Sequence, residues 1–143
     1  MTGEAMVTLA LTRDPRAETV VTEGLAAYNR ETFGRVDTRT LDILVRDEKS
    51  GEIVGGLLGR SSLGMFFLDL FYLPRELRRS GLGSRIIALA EDEARKRGCT
   101  TAFVHTVTFQ APGFYERHGY RQFGEIACPP DGATRIFLTK VLD

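Results

Sequence analysis

Residues 78–84 read Arg-Arg-Ser-Gly-Leu-Gly-Ser and run into a strongly helical segment. A helix start carries unpaired backbone amides and about half a positive charge, and glycines there let a ligand approach the backbone. Arg78 and Arg79 add guanidinium groups, and Ser80 and Ser84 add hydroxyls around Gly81, Leu82 and Gly83. That set suits a phosphate, although Gly-x-Gly alone also reads as a tight turn. Further on, Ala111, Phe114, Tyr115 and His118 fall at i, i+3, i+4 and i+7. They share one helical face, and spacing alone reads that face as core. Asp69 and His105 each interrupt an apolar stretch. A charge in such a stretch needs a partner or a role.

The elements that position these residues follow from periodicity. Met6 to Thr12 alternates and predicts a strand. Pro15 to about Arg30 predicts a helix, with Asp14 as N-cap and Pro15 at the first helical position. Leu41–Arg46 and Glu52–Arg60 read as a hairpin turning at Lys49-Ser50-Gly51, after a polar connection from Glu31 to Thr40. Gly55, Gly56 and Gly59 indicate close approach to the second hairpin strand. Met65–Leu73 is a nearly continuous apolar run, expected to be a central strand buried on both faces. A helix over about Gly81–Arg97 carries the stripe Leu82, Ile86, Ile87, Ala90 and Ala94 and stops at Gly98. Its acid-to-base pairs at i,i+4 are Glu91/Arg95, Asp92/Lys96 and Glu93/Arg97. Thr100–Val107 predicts a strand, Ala111–His118 a short helix, and Tyr120–Ala127 and Thr134–Val141 two closing strands. Strand, helix, strand over Met65–Val107 implies a parallel pair, so the fold class is α/β (α+β) with a mixed sheet.

The chain has 143 residues, which suits one domain over 1–143. Nineteen Lys and Arg balance nineteen Asp and Glu, which argues against a nucleic-acid binder but not against one local anion site. Cys99 and Cys128 give neither a disulfide framework nor a zinc pattern, and no metal site is expected. No apolar run approaches the roughly 20 residues of a membrane span, and the N-terminus lacks the flanks of a signal peptide. A cytoplasmic location is the expectation. Walker A and Rossmann fingerprints are both absent: position 86, where the latter needs Gly or Ala, is Ile86.

Arg78-x-x-Gly81-x-Gly83 after an apolar strand resembles the Gln/Arg-x-x-Gly-x-Gly/Ala loop of the GCN5-related N-acetyltransferases (GNAT). "APGFYERHGY", Ala111 to Tyr120, resembles that family's later Ala-x-x-x-Tyr-Glu-x-x-Gly-Phe/Tyr phrase. The element order extends the resemblance over nearly the whole chain. It implies a twisted mixed sheet of six to seven strands flanked by helices. It also implies an N-acetyltransferase that binds acetyl-CoA and moves its acetyl group to an amine by direct attack.

The resemblance assigns the loop Arg78–Ser84 to the cofactor pyrophosphate. It implies that a splayed fourth strand offers backbone groups at Phe71, Tyr72 and Leu73 to the acetyl and pantetheine parts, and that Phe114 and Thr108 contact the cofactor. Thr108 stands where many members carry Asn. Tyr115 matches the tyrosine that, in many members, donates a proton to the leaving thiolate. An alkylamine with pKa near 10.4 is neutral only about once in 2,500 molecules at pH 7, so a base is needed. Asp69 is the candidate, against the reading of a structural carboxylate paired with an amide or Arg. His105 reads as a satisfied core histidine before it reads as a base.

The acceptor would be shaped by Thr22–Thr40, the hairpin and Pro129–Ala133, with Glu23, Glu31, Asp37 and Asp131 as acids that could draw a cation. A small amine and a peptide amine stay open, as does a homodimer. The alternative reading is a non-catalytic acetyl-CoA-binding sensor or structural domain.

Overall fold

A computed structural model describes residues 3–143. They fall into two compact units, one ending at Val36 and one spanning Asp37–Asp143. The first contains helix α1 (Pro15–Phe33), and the Asp14 carboxylate accepts from the Arg16 amide at its N-cap as expected. Helix α1 ends at Gly34, whose φ of 97° is left-handed. Residues 4–10 form no strand, which corrects the expectation for Met6–Thr12. Alternation sets which side chains share a face, but a strand also needs an edge to receive its N–H and C=O groups.

The second unit is a seven-stranded sheet. Its strands are β1 (Arg39–Thr40), β2 (Ile43–Arg46), β3 (Ile53–Ser62), β4 (Met65–Tyr72), β5 (Thr101–Val107), β6 (Arg121–Cys128) and β7 (Ala133–Val141). Both β1 and β2 pair with β3, and the order continues β4, β5, β7, β6. Only β4 and β5 are parallel. Helix α2 (Leu82–Lys96) makes the crossover between them, and helix α3 (Pro112–Arg117) follows β5. Within this unit the expected elements are present in order. The two-residue β1 lies inside the segment read as a polar connection. Among the described residues no helix is long and apolar enough to cross a membrane.

The sheet has one closed face. Phe66, Leu68, Ala102, Val104, Ile136 and Leu138 are buried with Ile86, Ile87, Ala90 and Ala94 of α2. Each fully buried large side chain contributes about 1.5–3 kcal/mol. The other face is half open, so β4 alternates between buried and partly exposed and is not buried on both faces as expected. Glu91 is 4% exposed, and the expected Arg95 guanidinium reaches it at 3.8 Å. Its carboxylate accepts from Tyr120 Oη and Lys140 Nζ, each at 2.8 Å. Of the three expected pairs only Asp92 departs, pairing with Arg95 rather than Lys96, while Glu93 pairs with Arg97.

The glycines of β3 are closely approached, as expected, by neighbouring backbone. A Cβ on Gly59 would lie 2.6 Å from the Phe67 carbonyl oxygen and 2.9 Å from the Phe66 ring. Backbone cannot step aside as a flexible side chain can. Gly59→Ala is therefore expected to cost about 3 kcal/mol in chemical denaturation. Gly124→Ala, where nothing lies within 4 Å, should stay within about 0.5 kcal/mol.

Candidate active site

Strands β4 and β5 pair only from Met65 to Leu68 and from Thr101 to Val104. Beyond that point each follows its other neighbour. Leu70–Tyr72 stay registered on Leu58–Gly56 of β3, while His105–Val107 stay registered on Phe137–Arg135 of β7. The two strands therefore part, and the β4 edge beyond Leu68 has no strand partner on that side. A bulge falls at the same place: Leu58 faces Leu70 and Gly59 faces Leu68, leaving Asp69 as the extra residue. The gap is a cavity of about 380 Å³ lined by Asp69, Phe71, Leu73, His105, Gln110 and Tyr115 among others.

The cavity leads to the start of α2. A second cavity of about 370 Å³ is lined by Arg78, Arg79, Gly81, Ser84, Arg117 and His118, and it shares Leu73, Gly83, Ala111 and Phe114 with the first. Gly81 makes the turn at a φ of 82°. Gly83 lies against Phe114, where a Cβ would sit 3.0 Å from the ring. Phe114 in turn meets Phe71 edge-on with ring centres 5.7 Å apart. The seat thus runs from an open strand edge, over an aromatic wall, to helix amides beside arginines. A thin chain ending in phosphates fits that sequence of surfaces.

The loop side chains divide their work. Arg78 Nε donates to the Leu73 carbonyl at 2.8 Å, bracing the loop against the end of β4. Ser80 Oγ donates to the Leu77 carbonyl at 2.7 Å, so its proton is spent inside the loop. Arg79 holds a left-handed φ of 60°. Leu82 is half-buried and packs against the core rather than facing a ligand. Ser84 Oγ lies 2.9 Å from His118 Nε2.

Tyr115 sits on α3 with only 8% exposure. Its hydroxyl makes no hydrogen bond among the described residues, and none of the buried side-chain oxygens lacks a partner, so it opens to the cavity. Its carbonyl accepts from the Tyr120 amide at 3.0 Å. Burial pushes its phenol up to about 12.

Three expectations need correction. Asp69 is not a buried charge: 42% of its side chain is exposed, and its carboxylate accepts from Arg60 at 2.7 Å. The bulge turns it to the open face and the cavity mouth. Thr108 lines neither cavity. Its hydroxyl accepts from the Thr134 amide at 3.2 Å, which pins the end of β5 to β7. His105 is exposed and lies beside Phe103 and Phe137, so it is not a satisfied core histidine. Two site residues escaped the sequence reading. Gln110 lines the cavity, its Oε1 accepting from Thr106 Oγ1 at 2.9 Å. His118 was read as part of a core face. A polar residue at each of those two places was the only signal.

Tyr115 and Tyr120 are both pushed up, mainly by burial. The folded protein holds these two protons more tightly than the unfolded chain does. The associated stability is intact below pH 10 and is lost as pH rises through about 12. Absorbance titration of tyrosinate should show two of the four tyrosines titrating late, with unfolding. Tyr115→Phe should lessen the alkaline loss of stability.

Comparison with known proteins gives a consistent result. Residues 9–120 match the family model described as Acetyltransferase (GNAT) family. The chain is 39% identical over 134 residues to the blasticidin-S acetyltransferase of Streptomyces morookaense, covering 90% of this chain and 97% of that one. It is 35% identical over 127 residues to an acetyltransferase of Agrobacterium fabrum, covering 89% and 92%. A crystal structure from Agrobacterium tumefaciens superposes with a TM-score of 0.88 at 33% identity, over 96% of this chain and 99% of that chain. The chain thus belongs to the GNAT acetyltransferase family and is an acetyl-CoA-dependent acyltransferase.

Proposed function

We propose that the acceptor is a small cationic amine, that Tyr115 is the hydrogen-bond donor to the leaving sulfur, and that Asp69 receives the amine. The observation that carries the assignment is the Tyr115 hydroxyl, buried yet open to the gap between β4 and β5. Acetyl-CoA supplies a thioester carbonyl for attack and a thiolate as leaving group. The family match spans both compact units, which supports reading residues 1–143 as one acetyltransferase domain.

The roles follow from charge. A phenol held at about 12 is protonated throughout the neutral range. Moving its proton fully to a thiolate of ordinary pKa near 8.5 would cost roughly 5 kcal/mol. Tyr115 Oη therefore acts first by donating a hydrogen bond to developing charge. The unpaired edge of β4 at Phe71, Tyr72 and Leu73 lies where backbone amides can polarise the carbonyl. At the cavity mouth the Asp69 carboxylate attracts an ammonium group. It can then take the proton directly or through a water. Arg60, over the Phe67 ring at 4.3 Å, keeps that carboxylate in place.

A cavity of about 380 Å³ lies within the range of small-molecule sites. The Streptomyces morookaense relative is a blasticidin-S acetyltransferase, which supports a small acceptor over a protein one. An acceptor screen reading release of free thiol tests the proposal. With any amine that is acetylated, Tyr115→Phe should lower kcat about 100-fold and leave acetyl-CoA affinity nearly unchanged. Asp69→Asn should lower kcat/KM for the amine at pH 7, and the deficit should narrow as pH nears the amine's own pKa. An unchanged kcat in Tyr115→Phe would sink its assignment. A pH-independent deficit in Asp69→Asn would make that residue structural.

A further inference from the structure

His118 belongs to no step above, yet it lines the cavity at the start of α2. Its Nδ1 lies 2.7 Å from the Phe114 carbonyl oxygen. A carbonyl can only accept, so Nδ1 carries a proton in every protonation state of the ring. The consequence falls on Nε2, which is 2.9 Å from Ser84 Oγ. On a neutral ring Nε2 has a lone pair and accepts a hydrogen bond from the Ser84 hydroxyl. Ser84 then turns lone pairs toward the phosphate seat. On a protonated ring Nε2–H donates to Ser84 Oγ, and the hydroxyl proton is free to point at a ligand oxygen. One proton on the imidazole therefore inverts the polarity of Ser84.

The surroundings favour coupling to an anion. Arg78 and Arg79 from the loop and Arg117 from α3 line the same cavity. Lys140 of β7 comes up at Gly119, within 3.7 Å of where its Cβ would be, and its ammonium is held by Glu91 of α2. Glu116 precedes Arg117 on α3 and is exposed. A ring set among these cations gains most from protonation when a phosphate brings negative charge beside it.

We propose that His118 is a cofactor-binding residue that gates Ser84: the diphosphate of acetyl-CoA is bound by the Ser84 hydroxyl only when His118 is protonated, so binding takes up a proton. The inference rests on the acetyl-CoA reading of this seat. It adds a pH dependence that the backbone amides and arginines cannot supply, since neither titrates near neutrality.

Dephospho-CoA is the probe. It keeps the diphosphate but lacks the phosphomonoester, whose second ionisation near pH 6 would give an opposing trend. Calorimetric titration of the whole protein between about pH 5.5 and 8.5, in two buffers of different ionisation enthalpy, reads affinity and proton uptake together. The expected result is net proton uptake and an affinity falling by up to tenfold per pH unit on the alkaline side. Ser84→Ala should still bind but lose most of that slope, and His118→Phe should lose it as well. Ring resonances need no variant, because the chain has only two histidines. One ring should titrate at higher pH with dephospho-CoA bound. A flat affinity without proton uptake, or two ring titrations unmoved by the ligand, would overturn this proposal alone. Failure to bind at every pH would overturn the cofactor reading with it.

Discussion

The site depends on a conflict of pairing. β4 stays with β3 to Tyr72, and β5 stays with β7 to Val107, so their own parallel pairing stops at Leu68 and Val104. Each strand keeps its outer partner where the inner ladder ends, so the sheet splays between them. The bulge at Asp69 adds bend where the gap opens. An inner strand edge with no partner is normally a liability. Here it becomes a line of backbone groups facing a cavity, and the crossover helix between the same two strands begins beside it. The gap and the helix start are consequences of one topology, which is why a strand opening and a phosphate seat share Leu73, Gly83 and Phe114.

Around that constraint the chain separates fixed from adjustable parts. Backbone groups, the Gly81 turn and the aromatic contact of Phe71 with Phe114 carry no titratable charge. Their charge does not change with pH. The residues that can change state, Tyr115, Asp69 and His118, lie at three different places along the seat. Tyr115 is kept neutral by burial, Asp69 is kept at the surface by the bulge, and His118 is tied to Phe114 and Ser84. The buried Glu91 gathers Tyr120 and Lys140, and Tyr120 in turn holds the end of α3 through the Tyr115 carbonyl.

Much of this was legible in the sequence, for physical reasons. The loop Arg78–Ser84 and the helix stripe of α2 are local patterns, and local patterns survive folding. Tyr115 could be placed only through the resemblance, since its spacing alone describes core. Errors arose where the outcome depended on partners far along the chain. Met6–Thr12 alternates but forms no strand. Asp69 looked buried because one added residue in a bulge is invisible in a run of apolar letters. Thr108 was assigned by position in a motif, yet its hydroxyl is claimed by Thr134, 26 residues later. His118 gains its role only when the hydroxyl of Ser84, 34 residues away in the chain, meets it.

Hydrogen exchange at individual amides, with and without acetyl-CoA, tests most directly the claim that strand gap and helix start form one seat. The account predicts that amides at residues 69–73 and 81–84 gain protection together on binding, while the paired stretch 65–68 does not change. Protection confined to the helix start would contradict it and would leave the gap between β4 and β5 without a role in holding the cofactor.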